Sequence, residues 1–376
     1  MTPPARTPLG AHLPDFPWDT LAEAKATAER HPDGIVNLSV GTPVDEVAPS
    51  IQQALADAAA EPGYPQTVGT PELRRAIVEW LERRYAVTGL DESNVLPVIG
   101  TKEAIALMPT HLGVGPGHTV VIPEVAYPTY EVAALVSGAR PQRADSLMQL
   151  GPASPTFMFI NTPSNPTGKI LGLGHLRKVV DWAHQRGTIV ASDECYIGLG
   201  WEGEPLSILN PDVNDGNITG LLAIHSLSKS SNLASYRAGF IAGDAALIAE
   251  LLEVRRHNGL MVPRPIQAAM IAALNDDTQE AIQRTRYAAR RAKLKAALES
   301  AGFTIDNSEA GLYLWATLGE PARDTVDRLA QLGILVAPGD FYGPRGSSHI
   351  RMALTGTDER IDAAVTRLAT FDHSRS

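Results

Sequence analysis

The sequence predicts an α/β fold: a large domain around a mostly parallel sheet, followed by a smaller α+β domain. Three observations carry this. Between residues 95 and 243, seven short runs alternate with helical stretches of ten or more residues. Several of these runs, such as NVLPVIG, PTFMFINTP and LLAIHSLSK, are apolar at nearly every position. That is the pattern of strands buried on both faces. After about residue 265 the text changes to long amphipathic helices and then short strands. The division expected is an N-terminal arm and helix over 1–30 that packs with the small domain, a large domain over 31–264 and a small domain over 265–376.

The elements follow in order. MTPPARTPLGAHLPDFPWDT carries prolines that favour an extended arm. A helix begins near Pro17–Asp19 and runs through TLAEAKATAERH. GIVNLSVGTP reads as a strand into a turn, and SIQQALADAAAE as a helix. TPELRRAIVEWLERRYAV reads as another, with Thr70 as cap and Pro71 in its first turn. The seven strand runs are NVLPVIG, GHTVVIPEVAY, ARPQRAD, PTFMFINTP, GTIVASDECY, LLAIHSLSK and AGFIAGD. RPIQAAMIAALN and EAIQRTRYAARRAKLKAALESAG read as long helices, the second with its charges on a solvated face. FTIDNS, LYLWATL, GILVAPG and HIRMAL read as short strands before a last helix.

Composition narrows the function. The 376 residues are 44% hydrophobic and 20% charged, enough for one large and one smaller core. Thirty-two basic against 42 acidic residues give a formal charge of −10, and no Lys/Arg-rich run stands out. This argues against a nucleic-acid partner. The single cysteine, Cys195, excludes an intrachain disulfide and suits a reducing cytoplasm, the expected location. The proline-rich start lacks the apolar segment of a signal peptide. No apolar run approaches the ~18–20 residues of a membrane span.

Ligands of open parallel sheets sit beyond the carboxyl ends of the strands. The residues delivered there are informative. VLPVIG ends in Gly100-Thr101-Lys102 and enters a helix, a glycine turn that offers free N–H groups to a phosphate. FMFIN leads to Asn165 in the turn NPTG. TIVAS ends in Asp193, with Tyr196 three residues on, and LLAIHS ends at Ser228-Lys229. Taken singly, each has a plain structural explanation: a solvated lysine, a capping aspartate, a turn, a rim tyrosine. Taken together they fit one chemistry. A lysine forms a Schiff base with an aldehyde cofactor. A carboxylate keeps a pyridine nitrogen protonated, so the ring can accept carbanion charge. A phenol and an asparagine can bond the ring's 3-oxygen. Ser226, Ser228 and Arg237, with the turn at 100–102, can hold a phosphate, the arginine bidentately. The cofactor that combines aldehyde, pyridine and phosphate is pyridoxal 5′-phosphate.

NPTG at 165–168, SDECY at 192–196 and SLSK…R.G at 226–239 stand in one order and at one spacing. On these motifs the chain resembles the class I/II aminotransferases of the aspartate aminotransferase superfamily, the fold-type I pyridoxal-phosphate enzymes, from about residue 16 to 370. The resemblance implies that Lys229 carries the cofactor and shuttles the proton, that Asp193 partners the pyridinium, and that Tyr196 and Asn165 bind the 3-oxygen. It implies that Tyr127 stacks on the ring and that Gly100, Thr101, Lys102, Ser226, Ser228 and Arg237 hold the phosphate. Tyr64 would be lent by a partner subunit, so a homodimer with shared sites is implied. Arg351 would clamp the substrate α-carboxylate, with Asn165 and Gly41 beside the substrate. Relatives often have glycine where this chain has Ser235, and a left-handed turn there would disfavour serine.

FPWDTLAEAK, ECYIGLGW and SLSKSSNLASYRAGF are similar to the actinobacterial-type succinyldiaminopimelate aminotransferases of lysine biosynthesis, which use glutamate as donor. Basic residues in RRHNGLMVPRPIQ, 255–267, either meet a distal carboxylate or cap a solvated helix end. Other readings keep the same residues: an aspartate or broad-specificity aminotransferase, or a C–S lyase of this fold. More remote is a non-catalytic sensor of the cofactor. The partners expected are amino and keto acids, with no nucleic acid and no membrane.

Overall fold

The computed structural model describes residues 7–371. In chain order its strands are β1 (Val36–Asn37), β2 (Val95–Ile99), β3 (Thr119–Ile122), β4 (Arg140–Arg143), β5 (Phe157–Asn161), β6 (Ile189–Asp193), β7 (Leu221–Ser226), β8 (Ala238–Gly243), β9 (Thr304–Ile305), β10 (Tyr313–Thr317), β11 (Ile334–Leu335), β12 (Ala337–Pro338) and β13 (Ile350–Ala353). Among the described residues, β2 to β8 form one sheet in the order β2-β8-β7-β6-β5-β3-β4. These are the seven runs singled out above. β8 lies antiparallel to both its neighbours, and the remaining pairs are parallel. β4, RPQR, is the least apolar of the seven and lies at the edge, where Pro141 leaves no ladder bond unmade on its open side.

Alternation along the strands splits the core into two layers. Val190, Leu221 and Ala223 face the helices Pro71–Tyr85, Leu173–Arg186 and Arg264–Leu274. Ala191, Leu222 and Ile224 face the helices Thr101–His111, Thr129–Ser137 and Ala245–His257. Thr70 caps its helix as expected, its hydroxyl accepting the Leu73 N–H at 3.1 Å.

A third apolar cluster lies under the four-stranded sheet β12-β13-β10-β9. It takes in Leu21, Ala24 and Ala28 from the N-terminal segment. The helix Ala22–Glu29 packs on Ala322–Gln331, and β1 pairs in parallel with β11. Two expectations change. The helix expected from residue 17 opens as a 3₁₀ turn, Pro17–Leu21, and turns α only at Ala22. The helix Arg264–Leu274, expected in the small domain, packs on Pro49–Asp57 and Pro71–Tyr85 and shares their apolar cluster. Its apolar stripe is matched by theirs, so the change of layer falls later, along Asp277–Ser300. Among the described residues, no helix is long and apolar enough to cross a membrane.

Candidate active site

A cavity of about 490 Å³ opens at the carboxyl ends of β5, β6 and β7. It gathers Gly41, Thr101, Lys102, Tyr127, Asn165, Asp193, Tyr196, Ser226, Ser228, Lys229, Arg237 and Arg351 from across the chain. Gly100 adjoins it at the start of the helix Thr101–His111. Tyr64 does not line it and is 92% exposed.

The floor is set by strand register. Asp193 ends β6 between Asn161 of β5 and Ile224 of β7. Its carboxylate is buried and accepts two hydrogen bonds, from Tyr130 Oη at 2.6 Å and from the Cys195 N–H at 3.1 Å. Burial pushes its pKa up, and the bonds from Cys195 and Tyr130 pull against that shift. Lys229 sits just past β7 in the single helical turn Leu227–Ser230, whose first N–H groups are capped by Ser226. Its Nζ donates to the Gly41 carbonyl. Burial pushes the lysine pKa down, which brings the neutral, nucleophilic amine closer to working pH.

The opposite end of the floor is built for an anion. Gly100 has φ +76 and precedes an eleven-residue helix whose first N–H groups are free of intrahelical partners. A Cβ on Gly100 would run into the Arg237 guanidinium, so only glycine lets that group close on the helix start. The departure at Ser235 does not strain the turn. The left-handed residues of this segment are Asn232 and Arg237, with φ +59 and +56, and not Ser235.

The wall comes from the small domain and the loop after β5. Asn165 donates its N–H to Asn161 Oδ1 at 2.7 Å and accepts from Arg351 Nη1 at 2.9 Å. Arg351, on β13, is buried and donates from Nη2 to the Ser39 carbonyl. Its guanidinium lies 3.9 Å from the Tyr313 ring centroid and 5.0 Å from that of Tyr342. Among the described residues, its Nε has no hydrogen-bond partner. Tyr196 Oη shares a 3.2 Å hydrogen bond with Tyr313 Oη. Burial raises the phenol pKa of Tyr196, and that of Tyr127 to about 12, so both are neutral hydrogen-bonding groups. A side chain at Gly41 would collide with Tyr313.

Sequence reasoning missed several contributors. Tyr130 is the partner of Asp193, and its signal was the YPTY spacing, which puts it one helical turn from Tyr127. Tyr313, Cys195, Phe16 and Trp18 also line the cavity. Lys102 brings its side chain as well as its backbone, with Nζ 5.4 Å from the Phe16 ring centroid. The basic segment 255–267 does not reach the site. Arg255 is buried in a two-bond pair with Glu103, both bonds 2.9 Å, and its partner is already supplied.

These residues fit a flat pyridine with an aldehyde and a phosphate. The helix start with its guanidinium, the buried carboxylate and the buried amine surround one cavity, and Gly100 leaves the space that the Arg237 guanidinium fills. Residues 33–368 match the family model of aminotransferase class I and II. The chain is 65% identical over 365 residues to a Mycobacterium tuberculosis protein named "Probable aminotransferase", covering 97% of this chain and 87% of that one. It is 54% identical over 356 residues to the 4-dedimethylamino-4-oxo-anhydrotetracycline transaminase of Streptomyces rimosus, covering 95% and 99%. Among solved structures it matches the N-succinyldiaminopimelate aminotransferase of Mycobacterium tuberculosis with a TM-score of 0.86 at 26% identity, covering 98% and 100%. With the site assembled and the match running almost end to end, the chain belongs to the class I and II aminotransferase family.

Proposed function

We propose that the protein uses pyridoxal 5′-phosphate to move the amino group of L-glutamate to a keto acid that carries a second acidic group. The best acceptor is N-succinyl-2-amino-6-oxopimelate, the keto partner of N-succinyl-LL-diaminopimelate in lysine and diaminopimelate biosynthesis. The observation that carries this reading is the buried Arg351, held by Asn165 and Ser39 across the cavity from Lys229. A buried guanidinium with an unpaired Nε is a seat for an α-carboxylate. Of the cations lining the cavity, the Lys102 ammonium is the one left for a distal carboxylate once Lys229, Arg237 and Arg351 have their roles. The solved succinyldiaminopimelate enzyme supports the acceptor.

When bound, the cofactor supplies the electron sink that makes a substrate Cα–H acidic. The chain does the rest. Lys229 would anchor the cofactor and, as a free amine, would serve as the general base that takes the substrate Cα proton on its Nζ. Asp193 holds a proton on the pyridine nitrogen. Tyr196 and Asn165 bond the ring oxygen, Tyr127 covers the ring, and Gly100, Thr101, Lys102, Ser226, Ser228 and Arg237 hold the phosphate. Arg351 fixes the carboxylate, and with it the direction of the Cα–H bond. The exposed Tyr64 completes the phosphate site of a second copy, so the working form is a cytoplasmic homodimer.

The test has two arms on the purified protein: borohydride reduction of one portion, and, on an untreated portion, a donor and acceptor panel with glutamate, aspartate, alanine and N-succinyl-diaminopimelate. A pyridoxyl mass on the peptide containing Lys229 and turnover with glutamate are expected. No added mass refutes the assignment of Lys229. Turnover with glutamate but not with the succinylated compound removes the acceptor and leaves the transaminase. Ammonia and pyruvate from cystathionine would identify a lyase. A second reading, a bulky ring-ketone acceptor, is favoured by the 54% identity to the Streptomyces enzyme, and that ketone belongs in the same panel.

A further inference from the structure

β6 runs into two consecutive acids, and alternation sends them to opposite faces of the sheet. Asp193 faces the cavity. Glu194 keeps the pairing with β7, its N–H donating to the Ile224 carbonyl at 2.9 Å, and its side chain enters the layer behind the sheet. There it is fully buried, with Oε1 accepting the Ile208 N–H at 2.8 Å and Oε2 lying 3.4 Å from His225 Nε2. His225 is also buried, packed on Phe240 with ring centroids 5.1 Å apart and edge-on to Trp80 at 5.6 Å.

The polar atoms of this pocket are unevenly served. Among the described residues, both nitrogens of His225 are buried without a hydrogen-bond partner, while the Ser207 and Ser192 hydroxyls beside Glu194 pull its pKa down against burial. The other titratable and charged groups around the pair are few. Tyr85 comes from the helix Pro71–Tyr85, Glu280 from Asp277–Ser300 with Arg84 paired to it at 3.3 Å, and Asp193 lies across the strand. The 3.4 Å separation suits an ion pair. Complete burial disfavours two charges, so His225 stays neutral and the Glu194 carboxyl alone titrates. Burial accordingly lifts the Glu194 pKa to about 7 and drops that of His225 to about 3.

We propose that Glu194 is a positioning residue: whether the Glu194–His225 couple carries net charge decides how firmly Asp193 holds a proton on the cofactor's pyridine nitrogen. With Glu194 protonated, Asp193 is the lone buried anion of this strand end. With Glu194 ionised, a second negative charge lies one residue away and favours every positive charge on the bound ring. A unit charge at that range in a protein interior shifts a neighbouring pKa by about one unit. The couple thus ties the electronics of the site to pH from the side the substrate never touches. This inference rests on the cofactor reading above.

The experiment is a pH titration, from 5.5 to 9.5, of the visible absorbance of protein reconstituted with pyridoxal 5′-phosphate, without substrate. Glu194→Gln keeps the acceptor for Ile208 and cannot ionise. Its absorbance transition is expected about one pH unit below that of the wild type. Glu194→Met removes the same charge with a side chain of similar length and should move the transition the same way by the same amount. A purely structural role would lower the melting temperature and leave the transition in place. Curves for both variants that superimpose on the wild type overturn the proposal, and the second variant decides the matter if the first does not fold. A wild-type protein that takes up no cofactor would instead refute the Lys229 reading, and this inference with it.

Discussion

The floor of the cavity and its mouth are built differently. On the floor and the wall that closes on it, Asp193, Asn165 and Arg351 are buried, and each is held by named hydrogen bonds. At the mouth, Phe16 is 53% exposed, and Lys102 approaches it through a ring contact. The arm that carries Phe16 is docked by Trp18, whose ring lies 5.4 Å from Phe341 of the small domain. The floor therefore has little freedom and suits steps common to every substrate. The mouth depends on how an arm settles and suits discrimination between substrates.

Substitutions should separate the two. Lys229→Ala, on the floor, should lower kcat by about 10²–10⁴-fold or more while cofactor is still bound, because the proton carrier is gone. Near-normal turnover with donor and acceptor both present would break the comparison at its base. Arg351→Ala should lower kcat/KM by about 10²–10³-fold, the range for truncating one partner of a buried charge pair. The loss should be similar for all amino acids tested, and a loss confined to one would move Arg351 to the mouth. Lys102→Ala should raise KM by about tenfold for dicarboxylic substrates and leave alanine within twofold. An equal effect on alanine would show that the side chain serves the phosphate, and so the floor.

The smallest effect sharpens the picture of the floor. Tyr130→Phe removes a hydrogen bond that holds the Asp193 pKa down against burial. Without it the carboxyl takes up a proton at higher pH, so the acid-side loss of cofactor affinity should begin at higher pH than in the wild type. At neutral pH the change should be several-fold at most, in line with about 1 kcal/mol for one hydrogen bond. Equilibrium dialysis from pH 5 to 8 measures it, and identical profiles would remove Tyr130 from the site.

The legible and illegible parts divide on the same line. Lys229, Asp193 and Asn165 were readable because each follows an apolar run, and a strand end in a parallel sheet is a place as well as an element. Gly100 was readable because a glycine between strand and helix has a backbone role. The sequence leaves the turn at Ser235 open: the left-handed residues are Asn232 and Arg237, and no propensity marks an arginine for that conformation. The segment 255–267 was left open between substrate and surface. The structure gives Arg255 to Glu103, a contact between two helices 152 positions apart in sequence. Glu194 stood in plain view beside Asp193, but its partner His225 comes from the next strand.

By itself the sequence determined the alternation of strand and helix, the order of the strand ends and the chemistry each delivers, because periodicity and turn residues act over a few neighbouring positions. Only the tertiary structure decided that Tyr130 would meet Asp193, that Arg351 would lie on Tyr313 between Ser39 and Asn165, and that Phe16 would settle over Lys102. Those contacts join distant segments through the packing of whole layers, and no local preference records which layers will meet.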